Sequence, residues 1–291
     1  MATDLADLAT EAALEAERQF VLTLGGFALE IPGATLVTHE KIPVPRFNFV
    51  QELGVGPERQ AAFFERALDH YFQRALRPTF RVPTPVASHL DAGLRRFGFR
   101  PRATLLKLLL STGLRPPVVA EEVEVHVAER NELDLVASFW TSERERPEFR
   151  TALDVAWSHP NPHEQLVPLL AVMDEETVAA ALVYRYRTSV GIHGVATRPA
   201  ARGKGAASEL VVYALTHDPA GRGVRYSILA DSSRLEQRLE RIGFLPARSF
   251  QEYELPPDAI LAVPPPGPAL PPQWRPPRGG STGPERASRP P

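Results

Sequence analysis

Apolar and polar residues follow regular periods along the chain up to about residue 257, and these periods predict a mixed α/β protein. The first 18 positions predict an amphipathic helix. In the first half, extended segments are predicted over 28–37 and 47–53, followed by a helix that opens at Pro57. In the second half, we predict strands over 178–186, 190–197 and 224–230, with a helix over 206–215 between the last two.

Two segments of the chain match each other without gaps at a separation of 145 residues. The matching residues are Leu90, Leu94, Arg96, Gly98, Phe99 and Pro101 in the first and Leu235, Leu239, Arg241, Gly243, Phe244 and Pro246 in the second. Each segment predicts a helix, a Gly-Phe turn and a strand. The pairs Ser88–Asp91 and Ser233–Glu236 predict N-caps at the two helix starts. The repeat indicates a duplicated small domain, with chance similarity of two helix ends as the alternative.

The predicted elements and the repeat divide the chain into four parts. We predict a first domain over residues 1–112, a linker over 113–122 and a second domain over 123–257. Residues 258–291 are rich in proline and arginine. That composition cannot build a packed core, so we predict a disordered tail.

Composition narrows the classes of function. A formal net charge of -2 shows none of the basic excess that accompanies binding to a phosphate backbone, so we expect no nucleic-acid partner. The absence of cysteine excludes disulfides, thiolate zinc sites and thiol nucleophiles. His159 and His163 flank two prolines, which excludes the helical spacing of a metal pair, and we expect no metal cofactor.

Targeting signals are also missing from the sequence. The acidic first 18 residues lack the basic start and apolar core of a signal peptide. No apolar stretch reaches the roughly 20 residues that a membrane span needs. We therefore expect a cytoplasmic protein without a membrane partner, and the sequence leaves its oligomeric state open.

The most distinctive local feature is a loop between a predicted strand and a predicted helix. It comprises Arg202, Gly203, Lys204, Gly205, Ala206 and Ala207. Glycines let the backbone turn tightly and expose its N–H groups, and the helix start adds unpaired amides and a positive dipole end. This combination suits a pyrophosphate, with the charge of Lys204 at its mouth. The alternative is a tight turn that binds nothing.

The loop and its flanks resemble the GNAT acetyltransferase superfamily. Arg202, Gly205 and Ala207 fit its signature of Arg or Gln, two residues, Gly, one residue, then Gly or Ala, and the residues after Gly194 resemble its fourth strand. The resemblance implies an α/β fold with a mixed, mostly antiparallel sheet flanked by helices, and acetyl-CoA as co-substrate. It also implies that the pantetheine arm lies on Val195, Ala196 and Thr197 and that the pyrophosphate lies on the amides from Gly203 to Ala207.

His193 is the candidate general base, because a protonated amine must lose a proton before it attacks a thioester. Strand alternation places His193, Val195 and Thr197 on one face, beside the expected thioester. An imidazole with an unperturbed pKa of about 6.5 suits this role. Some arylalkylamine acetyltransferases resemble this chain in carrying a histidine there. The alternative is a histidine that packs in the core.

Two positions depart from the family pattern. The frequent tyrosine one turn before Gly-Phe, which protonates the departing thiolate, is Leu239, and the frequent upstream asparagine is Ser232, which we include among the expected CoA contacts. Tyr226 is a possible substitute acid whose position the sequence does not fix. The departures favour a slower enzyme over an inactive one.

The first copy lacks the phosphate loop, since the equivalent of Arg202 is Pro57, followed by Glu58. We expect it to bind no CoA and to cover the second copy, a layout similar to tandem GNAT proteins such as mycothiol synthase. The predicted function is transfer of an acetyl group from acetyl-CoA to a small-molecule primary amine that enters near residues 140–163. The alternative is a CoA-binding regulatory or scaffolding protein.

Overall fold

The structure is a computed structural model that describes residues 2–111, 122–143, 145–158, 164–217 and 225–256. The predicted linker at 113–122, apart from its last residue, the predicted tail at 258–291 and the pair His159 and His163 lie outside these residues. The helices of the described part are α1 (Ala2–Thr23), α2 (Gln60–Phe72), α3 (Ser88–Arg96), α4 (Leu133–Ala137), α5 (Arg146–Trp157), α6 (Ala206–Thr216) and α7 (Ser233–Ile242). No helix in this part is long and apolar enough to cross a membrane.

The strands of the described residues form a single mixed sheet. In chain order they are β1 (Phe27–Ile31), β2 (Ala34–Thr38), β3 (Phe49–Gln51), β4 (Thr79–Pro83), β5 (Arg100–Pro101), β6 (Leu106–Ser111), β7 (Glu124–Val127), β8 (Glu164–Met173), β9 (Glu176–Tyr186), β10 (Ser189–Thr197), β11 (Arg225–Ala230) and β12 (Phe244–Glu254).

The hydrophobic periods locate most elements correctly. The predicted strands over 178–186, 190–197 and 224–230 appear as β9, β10 and β11, and the predicted helix over 206–215 appears as α6. The extended segment at 28–37 is instead a hairpin of β1 and β2, because Gly33 at φ +86° turns the chain between them. Pro57 opens a 3₁₀ turn (Pro57–Arg59) that continues into α2.

The N-cap predictions were wrong by one residue. Ser232, not Ser233, caps α7 by accepting from the amide of Leu235, and Ala87 precedes α3 without a side-chain cap. The acidic partners are used elsewhere: Asp91 accepts from the Tyr253 hydroxyl, and Glu236 pairs with Lys107. The Gly-Phe turns are confirmed, since Gly98 and Gly243 have positive φ just after their helices.

Each half of the chain runs through the same order of elements. Three antiparallel strands lead to a helix, a strand parallel to the third, a second helix and a final strand. Only β3–β4 and β10–β11 pair in parallel within the described sheet, which confirms its mostly antiparallel character. The division into domains at 112 and 123 stays a prediction, and residues 1–259 form one compact unit.

The halves exchange their final strands. The strand β6 of the first half lies between β11 and β12 of the second, and β12 in turn pairs with β4 of the first. The packing shows the same exchange: Leu109 of β6 lies in the core cluster that α6 and other elements of the second half form. The sheet therefore runs through both halves, and their cores depend on each other.

Candidate active site

The candidate site lies where β10 and β11 separate. The two strands pair in parallel from Ser189 opposite Arg225 to Ile192 opposite Ile228. Beyond Ile192, β10 pairs only with β9 among the described strands, while β11 continues along β6 to Ala230. The edge of β10 from Val195 onwards therefore faces a gap, with backbone groups available to a ligand.

A β-bulge in β10 shapes this gap. The register with β9 shifts between His193 and Ala196, and Gly194 adopts a φ of +60°. The indole Nε1 of Trp140 donates to the Gly194 carbonyl oxygen from beneath the strand. A Cβ at Gly194 would lie 2.7 Å from that nitrogen. Glycine is therefore required here both by its conformation and by the close approach of the indole.

The loop from Arg202 to Ala207 forms one wall of a groove of about 770 Å³ beside the gap. Gly203 and Gly205 have positive φ, and Gly205 caps α6. The amides of Ser208 and Glu209 bond to the Gly205 carbonyl oxygen. In the described part of the chain, no acceptor is present for the amides of Gly203, Gly205, Ala206 and Ala207. Four free N–H groups at a helix start form an anion site.

Arginines add positive charge to this groove. Those that line it are Arg146, Arg198, Arg202, Arg234 and Arg238. The Arg198 guanidinium lies 5.5 Å from the centre of the Phe139 ring. The buried Nε of Arg146 has no hydrogen-bond partner among the residues described. A polyanion that carries several phosphates suits this charge.

The groove brings together the predicted CoA contacts. Val195, Ala196, Thr197, Arg202, Gly203, Gly205, Ala206, Ala207 and Ser232 all line it. Lys204 is exposed in the same turn but lies outside the lining residues. Contact of these residues with CoA stays a prediction.

A second cavity, of about 250 Å³, lies between the two halves and shares Val195 and Leu235 with the groove. Its lining from the first half includes Arg46, Thr79, Arg81 and Arg102, and its lining from the second includes Asp231, Glu252 and Glu254. The two spaces meet at the gap between β10 and β11. A thioester in the gap would thus face a polar cavity that both halves build.

Ion pairs hold the arginines that line this cavity, and those made by Glu252 join the two halves. Arg81 lies 2.8 Å from Glu17 and 3.1 Å from Glu252, and Arg102 lies 3.1 Å from the second oxygen of Glu252. Burial alone would lower the pKa of Arg81, but the two carboxylates hold it above its usual value. These pairs fix the polar wall of the cavity.

The structure corrects the predicted orientation of His193. Its ring stacks on Phe20 of α1 at 4.1 Å between centroids, whereas Val195 packs on the opposite face with the α6 cluster. The bulge at Gly194 breaks the alternation on which the prediction relied. Burial lowers the pKa of His193 to about 3, with the charges of Arg46 and Arg81 adding to the effect. Its buried Nε2 has no hydrogen-bond partner in the described part of the protein.

The structure places no acid at position 239, and Tyr226 lies within the paired part of β10 and β11, opposite Val190. Leu239 is a core residue that is 1% exposed. Tyr226 lies near the start of β11, about 13 Å along the strand from its end at roughly 3.3 Å per residue. Among the described residues, no group of three His, Asp or Glu side chains is placed to hold a metal ion.

Asp231 and Arg46 are the site residues that sequence reasoning missed. Asp231 directly follows β11 and precedes the Ser232 cap, so its position at the end of a predicted strand was an available signal. Arg46 lies in a loop of the first half, and it reaches the site only through contact between the halves. The periodicity of apolar residues cannot predict contact between the two halves.

Residues 132–244 match the Acetyltransferase (GNAT) family. The match is to this segment, which makes up less than half of the chain. It contains the separated strands, the loop and α6, which are the elements that form the groove. No curated protein matches the chain.

Solved structures extend the likeness beyond the GNAT segment. A GCN5-related N-acetyltransferase from Kribbella flavida is 17% identical, with a TM-score of 0.59 over 84% of this chain and 95% of that chain. A conserved protein of unknown function from Staphylococcus epidermidis is 12% identical, with a TM-score of 0.58 over 79% of this chain and 94% of that chain. A GCN5-related N-acetyltransferase from Sphaerobacter thermophilus is 13% identical, with a TM-score of 0.54 over 76% of each chain. They share a fold that includes part of the first half.

Proposed function

We propose that the chain is an N-acetyltransferase that transfers an acetyl group from acetyl-CoA to the primary amine of a small molecule. The observation that carries this proposal is the junction at Val195 and Leu235, where the groove with the free amides meets a second cavity whose lining includes charged residues. One space accommodates a nucleotide-linked donor and the other an acceptor. The GNAT match at residues 132–244 supports acyl transfer as the reaction class.

Acetyl-CoA is assigned to the groove by the chemistry of its walls. The free amides from Gly203 to Ala207 would hold the pyrophosphate, since they present N–H groups at the positive end of the α6 dipole. The unpaired edge of β10 from Val195 to Thr197 would bind the amides of the pantetheine arm. This places the thioester at the junction of the two spaces.

The reaction is a direct displacement. The neutral amine nitrogen forms a bond to the thioester carbonyl carbon, the carbon–sulfur bond breaks, and its electron pair leaves on sulfur. The amine loses one proton to water, and the thiolate recovers one from water. A thiol pKa of about 8.5 makes this departure tolerable without an acid at the position of Leu239.

His193 as the base stays a prediction that its surroundings do not support. A ring with a pKa near 3 is a weak proton acceptor at neutral pH, and it faces away from Val195. We propose that Asp231, whose carboxylate lines the cavity next to the junction, binds the ammonium group of the acceptor before it loses its proton. Water in the cavity would carry the proton away.

The alternative function is a CoA-binding regulatory or scaffolding protein. The buried Leu239 in place of the family's tyrosine favours it, because the thiolate then has no side-chain acid there. Both functions require acetyl-CoA in the groove. Only the enzyme requires release of CoA that depends on an amine.

The donor site is tested by Ala207→Glu, with Ser208→Glu as the matched control. Ala207 lines the groove and Ser208 does not, although both lie in the first turn of α6. Glutamate suits a helix start, so both variants should fold. Calorimetry should show acetyl-CoA affinity reduced at least about 100-fold by the carboxylate of A207E and little changed in S208E. Equal affinities for A207E and the wild type would remove acetyl-CoA from the groove.

A further inference from the structure

Arg46 enters the acceptor cavity from the first half on a rigid turn. It lies in the 3₁₀ turn Pro45–Phe47, between β2 and β3. The buried side chain of Asn48 donates to the carbonyl oxygens of Ile42 and Val44, both at 3.0 Å. Its own oxygen accepts from the amide of His39 at 2.9 Å. The backbone that carries Arg46 is therefore fixed before any ligand arrives.

The guanidinium of Arg46 differs from the other arginines of the cavity. Arg81 and Arg102 are both paired with Glu252. Arg46 has no hydrogen bond or ion pair with any residue that the structure describes. Arg46 is exposed and lies in the lining of the cavity, so its unpaired guanidinium is accessible to a ligand there.

None of the described carboxylates pairs with the Arg46 guanidinium. Desolvation and the charge of Arg81 lower the pKa of Arg46 below its usual value, and the charges of Glu17, Asp231 and Glu252 offset this effect in part. A carboxylate on a ligand could pair with this guanidinium through two parallel hydrogen bonds. The empty position beside Arg46 is therefore suited to a planar anion.

We infer that the acceptor carries a carboxylate, which Arg46 binds, and that its amine lies at Asp231. This rests on the proposed function and names its substrate class as amino acids. Arg46 and Asp231 line the same cavity, so one small molecule in it could contact both groups. A cavity of about 250 Å³ is small among ligand pockets and fits an amino acid better than a peptide or a large amine.

The experiment compares amino acids with the amines that lack only the carboxylate, for example alanine with ethylamine, as acceptors for the full chain. The wild type should prefer the amino acid in kcat/KM. Arg46→Gln should lower kcat/KM for the amino acid by about 10- to 100-fold, as expected for a lost charged hydrogen-bond pair, and should lower kcat/KM for the amine much less. Arg59→Gln is the matched control, because Arg59 is exposed and lies outside the cavity.

A binding measurement separates failure of this inference from failure of the proposed function. N-acetylalanine and N-ethylacetamide are titrated into the CoA-loaded wild type and R46Q, which requires no turnover. Binding of N-acetylalanine that is lost in R46Q supports the carboxylate site even if no amine is acetylated. Equal binding of N-acetylalanine by the wild type and R46Q would overturn the inferred carboxylate site. An equal loss of kcat/KM for the amino acid and the amine in R46Q would overturn it as well. Arg46→Lys keeps the charge and should retain part of the preference.

Discussion

At the scale of single residues, His193 shows how burial decides chemistry. Its ring is stacked on Phe20, and its folded pKa of about 3 lies below the unperturbed value of 6.5. The unfolded chain therefore binds a proton more readily between these values. The stability that neutral His193 contributes is present above about pH 6.5 and is lost as the pH falls toward 3.

His193→Gln should therefore make the protein less sensitive to acid. The wild-type free energy of unfolding, measured by urea denaturation, should fall by on the order of 2 kcal/mol more than that of H193Q between pH 7 and pH 5. Burial also lowers the pKa values of His39 and His70. Both residues are present in the wild type and the variant, so their contributions to the pH dependence cancel in the comparison. The exposed His217→Gln is the control. The same pH dependence of stability in H193Q and the wild type would contradict the burial effect. If the kcat/KM profile of H193Q lacked a limb that the wild type shows near neutral pH, His193 would again be the candidate general base.

At the scale of elements, the bulge in β10 is what opens the sheet. The strand β10 pairs regularly with β11 up to Ile192, and Gly194 then adopts a left-handed conformation. After this bulge, Val195 faces the gap. The groove, the cavity and their junction all depend on this break. Glycine at this position is thus a determinant of the site as well as of the strand.

Gly194→Ala should destabilise the protein by roughly 1 to 3 kcal/mol, because alanine at positive φ is strained and its Cβ meets the Trp140 indole. Gly54→Ala is the matched control, since no atom lies within 4 Å of a Cβ there and its φ is not positive. Its effect should stay within about 1 kcal/mol and be neutral or stabilising. Urea denaturation followed by tryptophan fluorescence measures both. A G194A variant as stable as G54A would show that the bulge does not need glycine.

Sequence reasoning predicted the elements better than their details. Periodicity located β9, β10, β11 and α6, because their apolar residues are buried in the core clusters. The glycine pattern also located the loop that lines the groove. Alternation could not predict the bulge at Gly194, because a single irregular residue reverses the faces that follow it. The start of α7 was misplaced by one residue because Ser232 and Ser233 carry the same hydroxyl.

At the scale of the whole molecule, the exchange of final strands explains why a half without a phosphate loop is part of the site. Since β6 and β12 cross between the halves, the first half is held against the gap and supplies Arg46 and Arg81 to the lining of the second cavity. The duplication and the covering role of the first copy stay predictions from the repeat. The exchange itself joins residues far apart in the chain, and no local pattern predicts it.

The central claim is that acetyl groups pass from CoA to an amine at this junction. The most direct measurement incubates the purified full chain with acetyl-CoA labelled with ¹³C in the acetyl group and a panel of amino acids and amines. Mass spectrometry then quantifies the labelled acetamide against free CoA. We predict equal amounts of both, dependent on the acceptor and absent in A207E. Normal binding of acetyl-CoA with no labelled acetamide from any acceptor would contradict the enzyme and leave a CoA-binding protein.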